Sequence, residues 1–571
     1  MGLTHRLLLF LVALLLTLFT WLGGGIVATW LSPWAVWLSL LIVEVLLVFP
    51  EPRRMETLFE ARRRVWRGLL RDPLMWFGAG LVLFLTIQWL NGQTFLEWDV
   101  KGRVWKVVSP ALECLRSPET EAYLQLPGPR GGGAGYVVVP GGYPWGWLPG
   151  CLRSDIARGV LDWFLPVVVA LLAVRHGLLK RSKRWLGLYV CVMAAVLAVA
   201  GVVQYAVGGD FLYWGRPAKA FFFATFGYPN HAACFFPGVM ALAIGMLLWT
   251  VEHREHTRVP AWVYGVVAVL CGVAGVLSGS RAGVLFTLGI TTLTGLYVPL
   301  RYFGSWPGAL RVAIPALLLL SFGVVLGTAG FRIYAVKQNR AAAAALAAAK
   351  TPAEQAVAAQ MPVYGAIPAL DGVLEEIADT PWEAFLRHPM LVRSGYQGIL
   401  ALRQAADYPW YGAGAWSFMW LNYRYIRRDV PEEQEWLTLR KGVGQANVHN
   451  DSLQFLAEHG WVGFGLMLGC VAALLLPFLW LLVRSPAYTV SDEQSERMWV
   501  NRINVYLVFA LVGTTMIGLH SFIDLVFRSP ACMMLYGLLF VCAPGFVLGM
   551  PSAAAPARAG LPQKRSEESH A

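Results

Sequence analysis

Charge is scarce in this chain. Only 14% of its 571 residues are Asp, Glu, Lys or Arg, against about 25% in soluble domains, which excludes a string of soluble domains of this total length. Acid is scarcer than base, 34 Asp+Glu against 46 Lys+Arg, for a net charge of +12. No Gly-x-x-x-x-Gly-Lys-Ser/Thr loop is present, which argues against an ATP-driven pump. Internal repeats are absent, and the long loops hold no Asp-x-Asp pair or His/Cys/Asp cluster with ligand spacing, so no metal or other cofactor is expected. Cysteine is sparse, eight residues. Six of them, Cys191, Cys234, Cys271, Cys470, Cys532 and Cys542, fall in apolar runs, leaving Cys114 and Cys151 in one loop.

What is abundant is apolar sequence, 57% of the chain. The runs approach the ~20 residues that cross a bilayer as a helix. They fall at 7–30, 33–49, 73–90, 159–174, 186–207, 231–250, 260–277, 283–300, 311–330, 461–483, 503–523 and 530–549. The expected fold is therefore an all-α polytopic membrane protein of about twelve spans. The first run follows His5 and Arg6 as a signal peptide would, but it is long, lacks a clear cleavage site and meets another span at Ser32-Pro33; it reads as a retained anchor, and a hairpin that does not fully cross is the alternative.

Basic loops fix the orientation. Residues 50–72 carry seven arginines and "RHGLLKRSKR" from Arg175 carries five more Lys or Arg, so both belong in the cytoplasm. Counted with Arg311 at the edge of the 311–330 run, the cytoplasmic segments hold 23 Lys+Arg and 11 Asp+Glu, a balance equal to the entire net charge. The excess thus reports orientation, and neither an acidic substrate nor a nucleic acid follows from it. The chain divides into N-terminal spans (1–90), a Gly/Pro-rich outer loop (91–158), central spans (159–330), a large outer loop (331–460), C-terminal spans (461–549) and a tail (550–571). The first outer loop holds Cys114 and Cys151, a candidate disulfide in an oxidising compartment, with two unpaired thiols as the alternative. The second opens with an Ala-rich helical stretch, "NRAAAAALAAAKTPAEQAVAAQ".

The segment "VHNDSLQFLAEHGWVGFG" from Val448 is the most informative. Asp451 is a candidate N-cap for a helix over 452–459, with Gly460 as its stop. His449 would then precede a helix N-terminus, whose partial positive charge opposes protonation and keeps a neutral base available. On position alone, His449 reads equally as one more interfacial polar residue. Arg281, between two apolar runs, is costly in a bilayer unless it serves a function or snorkels to the interface. His520 and Asp524, four apart, are expected on one helical face, paired as plain structure or sharing in a site. His231 suits a helix start better than a base. Glu97 and Asp99, after the third span, form an alternative carboxylate site, and the Arg424, Arg427, Arg428 cluster reads as a solvated face or a phosphate contact. The 25 Trp fit interfacial belts or sugar stacking.

His449-Asn450, nine residues, Gly460, two residues and Gly463 resemble the signature of the O-antigen ligase and polymerase superfamily. "YPNHAACFF" from Tyr228, "SGSRAGVL" from Ser278, "RSGYQGILALRQAADYPWYGAG" from Arg393 and "HSFIDLVFRSP" from His520 resemble further elements in the family's order, over roughly 200–545. The resemblance implies a GT-C-like, metal-independent, inverting glycosyltransferase in a bacterial inner membrane with its site facing the periplasm. It would take a glycan from undecaprenyl diphosphate and pass it to lipid A core, another carrier-linked glycan or a protein. It implies His449 as general base, Asn450 as its neighbour, and Arg281 and Arg393 as diphosphate contacts. Gln397 stands where the family often has Leu, so Arg387 and Arg403 are alternatives to Arg393. Arg pairs with phosphate oxygens through a planar fork. The rival from another class is a lipid or glycan transporter, which would favour charges deep within spans.

Overall fold

The computed structural model describes residues 2–22, 31–52, 55–92, 94–99, 104–108, 138–142, 147–152, 154–207, 223–302, 395–425, 447–484 and 503–547, with isolated positions between 342 and 351. Helices dominate. In chain order they are α1 (Leu3–Thr17, continued as one π-turn over Leu18–Leu22), α2 (Ser32–Val48), α3 (Leu58–Leu70), α4 (Pro73–Leu90), α5 (Ser154–Gly177), α6 (Lys180–Val207), α7 (Pro229–Glu252), α8 (Ala261–Leu277) and α9 (Arg281–Tyr302). They continue with α10 (Gly395–Asp407), α11 (Ser417–Leu421), α12 (Asp451–Arg484), α13 (Val505–Ser521) and α14 (Pro530–Val541).

Seven of these are long and apolar enough to cross a membrane, and four more, α2, α8, α13 and α14, are apolar but shorter. The chain is a multi-span membrane protein by helix length and hydropathy. The predicted run at 311–330 lies outside the described residues. α14 is shorter than the expected 530–549, because its helix passes into a 3-10 turn over Ala543–Phe546.

The physical reason for the bundle is visible in its burial. α7 is the hub, with 94% of its apolar window inside the protein, against 22% for α9. Its Phe235, Phe236 and Trp249 are buried, and the helix as a whole packs against α8, α13 and α9. Large apolar side chains elsewhere face outward, Trp34, Trp37, Trp76, Val269, Leu296 and Leu476 among them. An outer shell of this kind suits hydrocarbon rather than water.

One helix lies apart from that pattern. α3 buries Ala61, Val65 and Leu69 and carries Arg62, Arg63, Arg64 and Arg67 on its other faces, the arrangement of a helix lying in a membrane interface. Thr57 and Glu60 close a reciprocal capping box at its start.

The long loop at 91–158 adds one small sheet to this all-α frame. It holds a three-stranded antiparallel sheet, order β2-β1-β3, with β1 Thr94–Asp99, β2 Val104–Val108 and β3 Val138–Gly142. Its ends are drawn together where Asn91 Nδ2 donates to the Leu148 and Pro149 carbonyls and Cys151 N–H donates to the Asn91 carbonyl.

Polar contacts gather at the two ends of the bundle. At the basic end Asp72 accepts from Arg175 (2.8 Å) and His176 (2.7 Å), Glu252 accepts from Arg301 (3.0 Å) and Tyr302 (2.8 Å), and His5 pairs with Glu51. Burial pushes the Asp72 carboxyl up, but the His176 hydrogen bond and the Arg175 charge outweigh it and leave its pKa below the ordinary value. The opposite end carries the polar network described next.

Candidate functional site

α12 begins at Asp451, and the residue that caps it is Asn450 rather than the expected Asp451. Asn450 Oδ1 accepts from Leu453 N–H at 3.0 Å, while its Nδ2 donates to the Phe522 carbonyl at 2.9 Å. Both halves of this fully buried amide are thus used to fasten the start of α12 to the turn after α13. Asp451 binds that turn instead, its Oδ2 accepting from Phe527 N–H at 2.8 Å.

His449 sits immediately before this cap in a left-handed conformation, φ 56°. Such a backbone is uncommon for a residue with a side chain and clusters at functional sites. Its Nδ1 lies 3.2 Å from Asp524 Oδ1. The His449 side chain is 23% exposed and that of Asp524 only 1%, so the histidine is where a buried carboxylate meets the surface.

Asp524 is the centre of the network. Tyr228 OH donates to both of its oxygens at 2.8 Å, Asn230 Nδ2 donates to Oδ2, and Leu525 N–H donates to Oδ1 at 2.8 Å. Asn230 Oδ1 in turn accepts from Ser280 Oγ. Ser280 immediately precedes Arg281, the first residue of α9, which is exposed. Segments far apart in the chain are therefore linked here: Tyr228, Asn230 and His449 contact the Asp524 carboxylate directly, and Ser280 joins them through Asn230.

That geometry corrects one expectation. His520 and Asp524 do not share a helical face, because α13 ends at Ser521 and the chain turns before Asp524. His520 is buried and packs against the Phe286 ring, centroids 5.1 Å apart. His231 is buried three residues into α7, its Nε2 2.9 Å from the Leu525 carbonyl, which fits a helix-start residue bracing the same turn.

The break in α12 has its own clamp. Gly460 has φ 62° and ψ −171°, a region essentially reserved for glycine. The turn from Pro409 to Gly414 closes on it: Trp461 N–H donates to the Pro409 carbonyl at 2.7 Å, Val462 N–H to the Trp410 carbonyl at 3.0 Å and Gly414 N–H to the Glu458 carbonyl at 2.8 Å. A Cβ on Gly460 would lie 2.5 Å from Gly412 N and the Trp410 carbonyl. Gly460 is thus a backbone joint, clamped by the Pro409–Gly414 turn, between the short helix that follows His449 and the longer apolar stretch of α12.

Several residues at this end escape a reading of the sequence alone. Arg528 donates to Glu458 at 3.1 Å and stacks over Trp416 at 4.0 Å. Glu458 also accepts from Gln454 Nε2 at 2.7 Å, and Gln454 Oε1 accepts from Val448 N–H at 3.0 Å. The signal available in the sequence was the presence of Tyr228, Ser280 and Arg528 inside the motif segments. Beside these residues an apolar cleft of about 370 Å³ descends past Leu85, Leu81 and Met467 to Leu74 and Leu474.

The other expected residues are placed as follows. Arg403 Nη1 donates to the Tyr425 carbonyl at 2.8 Å, tying α10 to the 3-10 turn after α11. Arg387, Arg393 and Cys114 lie outside the described residues. Cys151 is fully buried beside Ala157 and Ala415, and Glu97 and Asp99 lie on β1. Among the described residues no three His, Cys, Asp or Glu side chains converge as a metal ligand set.

With Asp524 as a carboxylate, which only accepts hydrogen bonds, a neutral His449 ring would donate from Nδ1 and present the Nε2 lone pair as an acceptor. An oriented proton acceptor at a surface is the chemical capacity of this arrangement. No protein-family model matches the chain, and no curated protein matches its sequence.

Proposed function

We propose that the chain is a twelve-span glycosyltransferase of the O-antigen ligase type, working on the outer face of a bacterial inner membrane. It would move a glycan from undecaprenyl diphosphate to an acceptor hydroxyl, lipid A core being the favoured acceptor. The observation that carries the reading is the linkage of four motif segments around the His449–Asp524 pair.

In the reaction the acceptor O–H gives its proton to His449 Nε2 as its oxygen attacks the anomeric carbon. The bond from that carbon to the diphosphate oxygen breaks, and the diphosphate leaves with the electron pair. Attack opposite the leaving group inverts the anomeric centre. Asp524 holds the ring and balances the imidazolium that forms, as in other carboxylate-oriented histidine bases. Arg281, exposed at the start of α9, is the proposed diphosphate contact, its guanidinium fork suited to phosphate oxygens. From His459 to Leu474 the cleft runs beside α12 for about 20 Å, deeper than the ~15 Å of one hydrocarbon leaflet. That length suits a carrier chain longer than a phospholipid tail. The basic end then faces the cytoplasm, as the retention of positive loops requires.

The test is reconstitution with a carrier-linked glycan and three acceptors, lipid A core, a second carrier-linked glycan and a pilin-like protein. Product on lipid A core supports the ligase; product on the second or third identifies a polymerase or a protein ligase. His449→Ala should lower transfer by about 10²- to 10⁴-fold while carrier binding persists. Full transfer by that variant would overturn the base assignment, and no product with any acceptor would favour a transporter.

A further inference from the structure

The basic end holds a cavity that the proposed reaction does not use. It lies where the start of α6, the end of α7, the start of α8 and the Ala543–Phe546 turn meet, with a volume of about 450 Å³. Arg181, Arg184 and Arg258 line it, and Glu255 is the one carboxylate among its lining residues. Arg184 is anchored, donating to the Gly545 carbonyl at 2.9 Å and lying over the Trp249 ring at 5.3 Å. Arg181 and Arg258 are exposed, and among the described residues neither makes a hydrogen bond or an ion pair. The cup therefore gathers three guanidinium groups against one acid, two of them with all their donors open to a ligand.

Its floor is different. Leu188, Met246 and Tyr264 close the cup on the side toward the middle of the bundle, where α6 and α7 are apolar helices long enough to cross a membrane. A free anion would match the rim and leave this floor wet. A zwitterionic lipid would match the floor while bringing its own ammonium group to the arginines.

We propose that this cup is a binding site for an anionic phospholipid of the adjacent leaflet, its phosphate on Arg181 and Arg258 and the upper part of one acyl chain on Leu188, Met246 and Tyr264. Basic pockets between spans on the positively charged side are suited to such headgroups, and each Lys or Arg near the surface contributes about 1 kcal/mol to anionic-lipid attraction, or roughly fivefold in affinity. The proposal requires only that the chain spans a membrane and is independent of the transfer reaction.

Native mass spectrometry of the full chain in detergent, titrated with phosphatidylglycerol and with phosphatidylethanolamine of the same acyl chains, tests it. Wild type should retain phosphatidylglycerol preferentially, and added salt should weaken that preference by screening the rim. Arg181→Gln/Arg258→Gln should lose about tenfold or more in phosphatidylglycerol affinity, with an unchanged unfolding midpoint in lipid-free detergent. Arg181→Lys/Arg258→Lys should keep most of the preference, and it stands in for the glutamine pair if that pair misfolds. Equal retention of the two lipids by wild type would overturn the site. So would wild-type affinity in the glutamine variant, or inorganic phosphate competing as well as the lipid.

Discussion

Two buried carboxylates, one at each end of the bundle, show how differently the same group is used. Asp72, with its side chain 4% exposed, is held between Arg175 and His176. Its charge is matched by a permanent cation, so the cluster works as a rivet joining α4 to α5. Among the described residues the hydrogen bonds that Asp524 receives come from Tyr228, Asn230 and the Leu525 N–H, all of them uncharged donors. His449 beside it gains a positive charge only by taking a proton. The first arrangement sets the carboxylate against a permanent cation, and the second sets it against a histidine that can take up a proton.

Removing each charge separates the two roles. Asp524→Asn keeps the shape and most hydrogen bonds but no longer orients the Nδ1–H tautomer. Transfer, measured with the reconstituted donor and acceptor, is expected to fall by about 10²- to 10⁴-fold with the unfolding midpoint little changed. Unaltered transfer would break the pairing of His449 with Asp524. Asp72→Asn should show the reverse. It takes the carboxylate charge away from Arg175, which is partly buried and keeps the Ala473 carbonyl, an expected loss of about 1–3 kcal/mol, seen as a lower thermal midpoint in detergent. Transfer per folded molecule should stay within a few-fold of wild type.

How much of this was legible in the sequence follows from which forces act locally. The spans could be read because hydrocarbon requires a long apolar helix, and eleven of the twelve expected runs coincide with described apolar helices. A helix start near 451 and a stop at Gly460 could be read because a cap and a glycine joint leave a mark within a dozen residues, although the capping side chain is Asn450 and not Asp451. The partner of Asp524 could not. Spacing of four suggested His520, but α13 ends at Ser521, and the imidazole that reaches Asp524 comes from 75 residues earlier in the chain. Tyr228, Ser280, Trp416 and Arg528 act through equally distant partners. The small sheet in the first outer loop was hidden by its Gly and Pro content, which reads as loop.

The joint itself gives a third effect. Gly460→Ala places a Cβ 2.5 Å from the Trp410 carbonyl in a backbone region that costs about 1–3 kcal/mol for a residue with a side chain. The Pro409–Gly414 turn should be displaced, lowering both the thermal midpoint and transfer, whereas Gly465→Ala, with open space at its Cβ, should change neither. Equal behaviour of the two variants would show that the Pro409–Gly414 clamp does not position His449.

The smallest effect is the acid sensitivity of the rivet. Folding holds the Asp72 pKa below its ordinary value, so the unfolded chain binds this proton more readily than the folded one. Its contribution is therefore complete above the ordinary Asp range near 4 and is lost as pH falls through the lowered folded value. The thermal midpoint of wild type in detergent should fall across that acidic window. Asp72→Asn lacks the titrating group and should show a shallower fall over the same interval, because its remaining acid sensitivity comes from other carboxylates. Parallel pH profiles for the two proteins would mean that Asp72 does not gain its stability from Arg175 and His176, and the contrast between the two buried carboxylates would lose one of its sides.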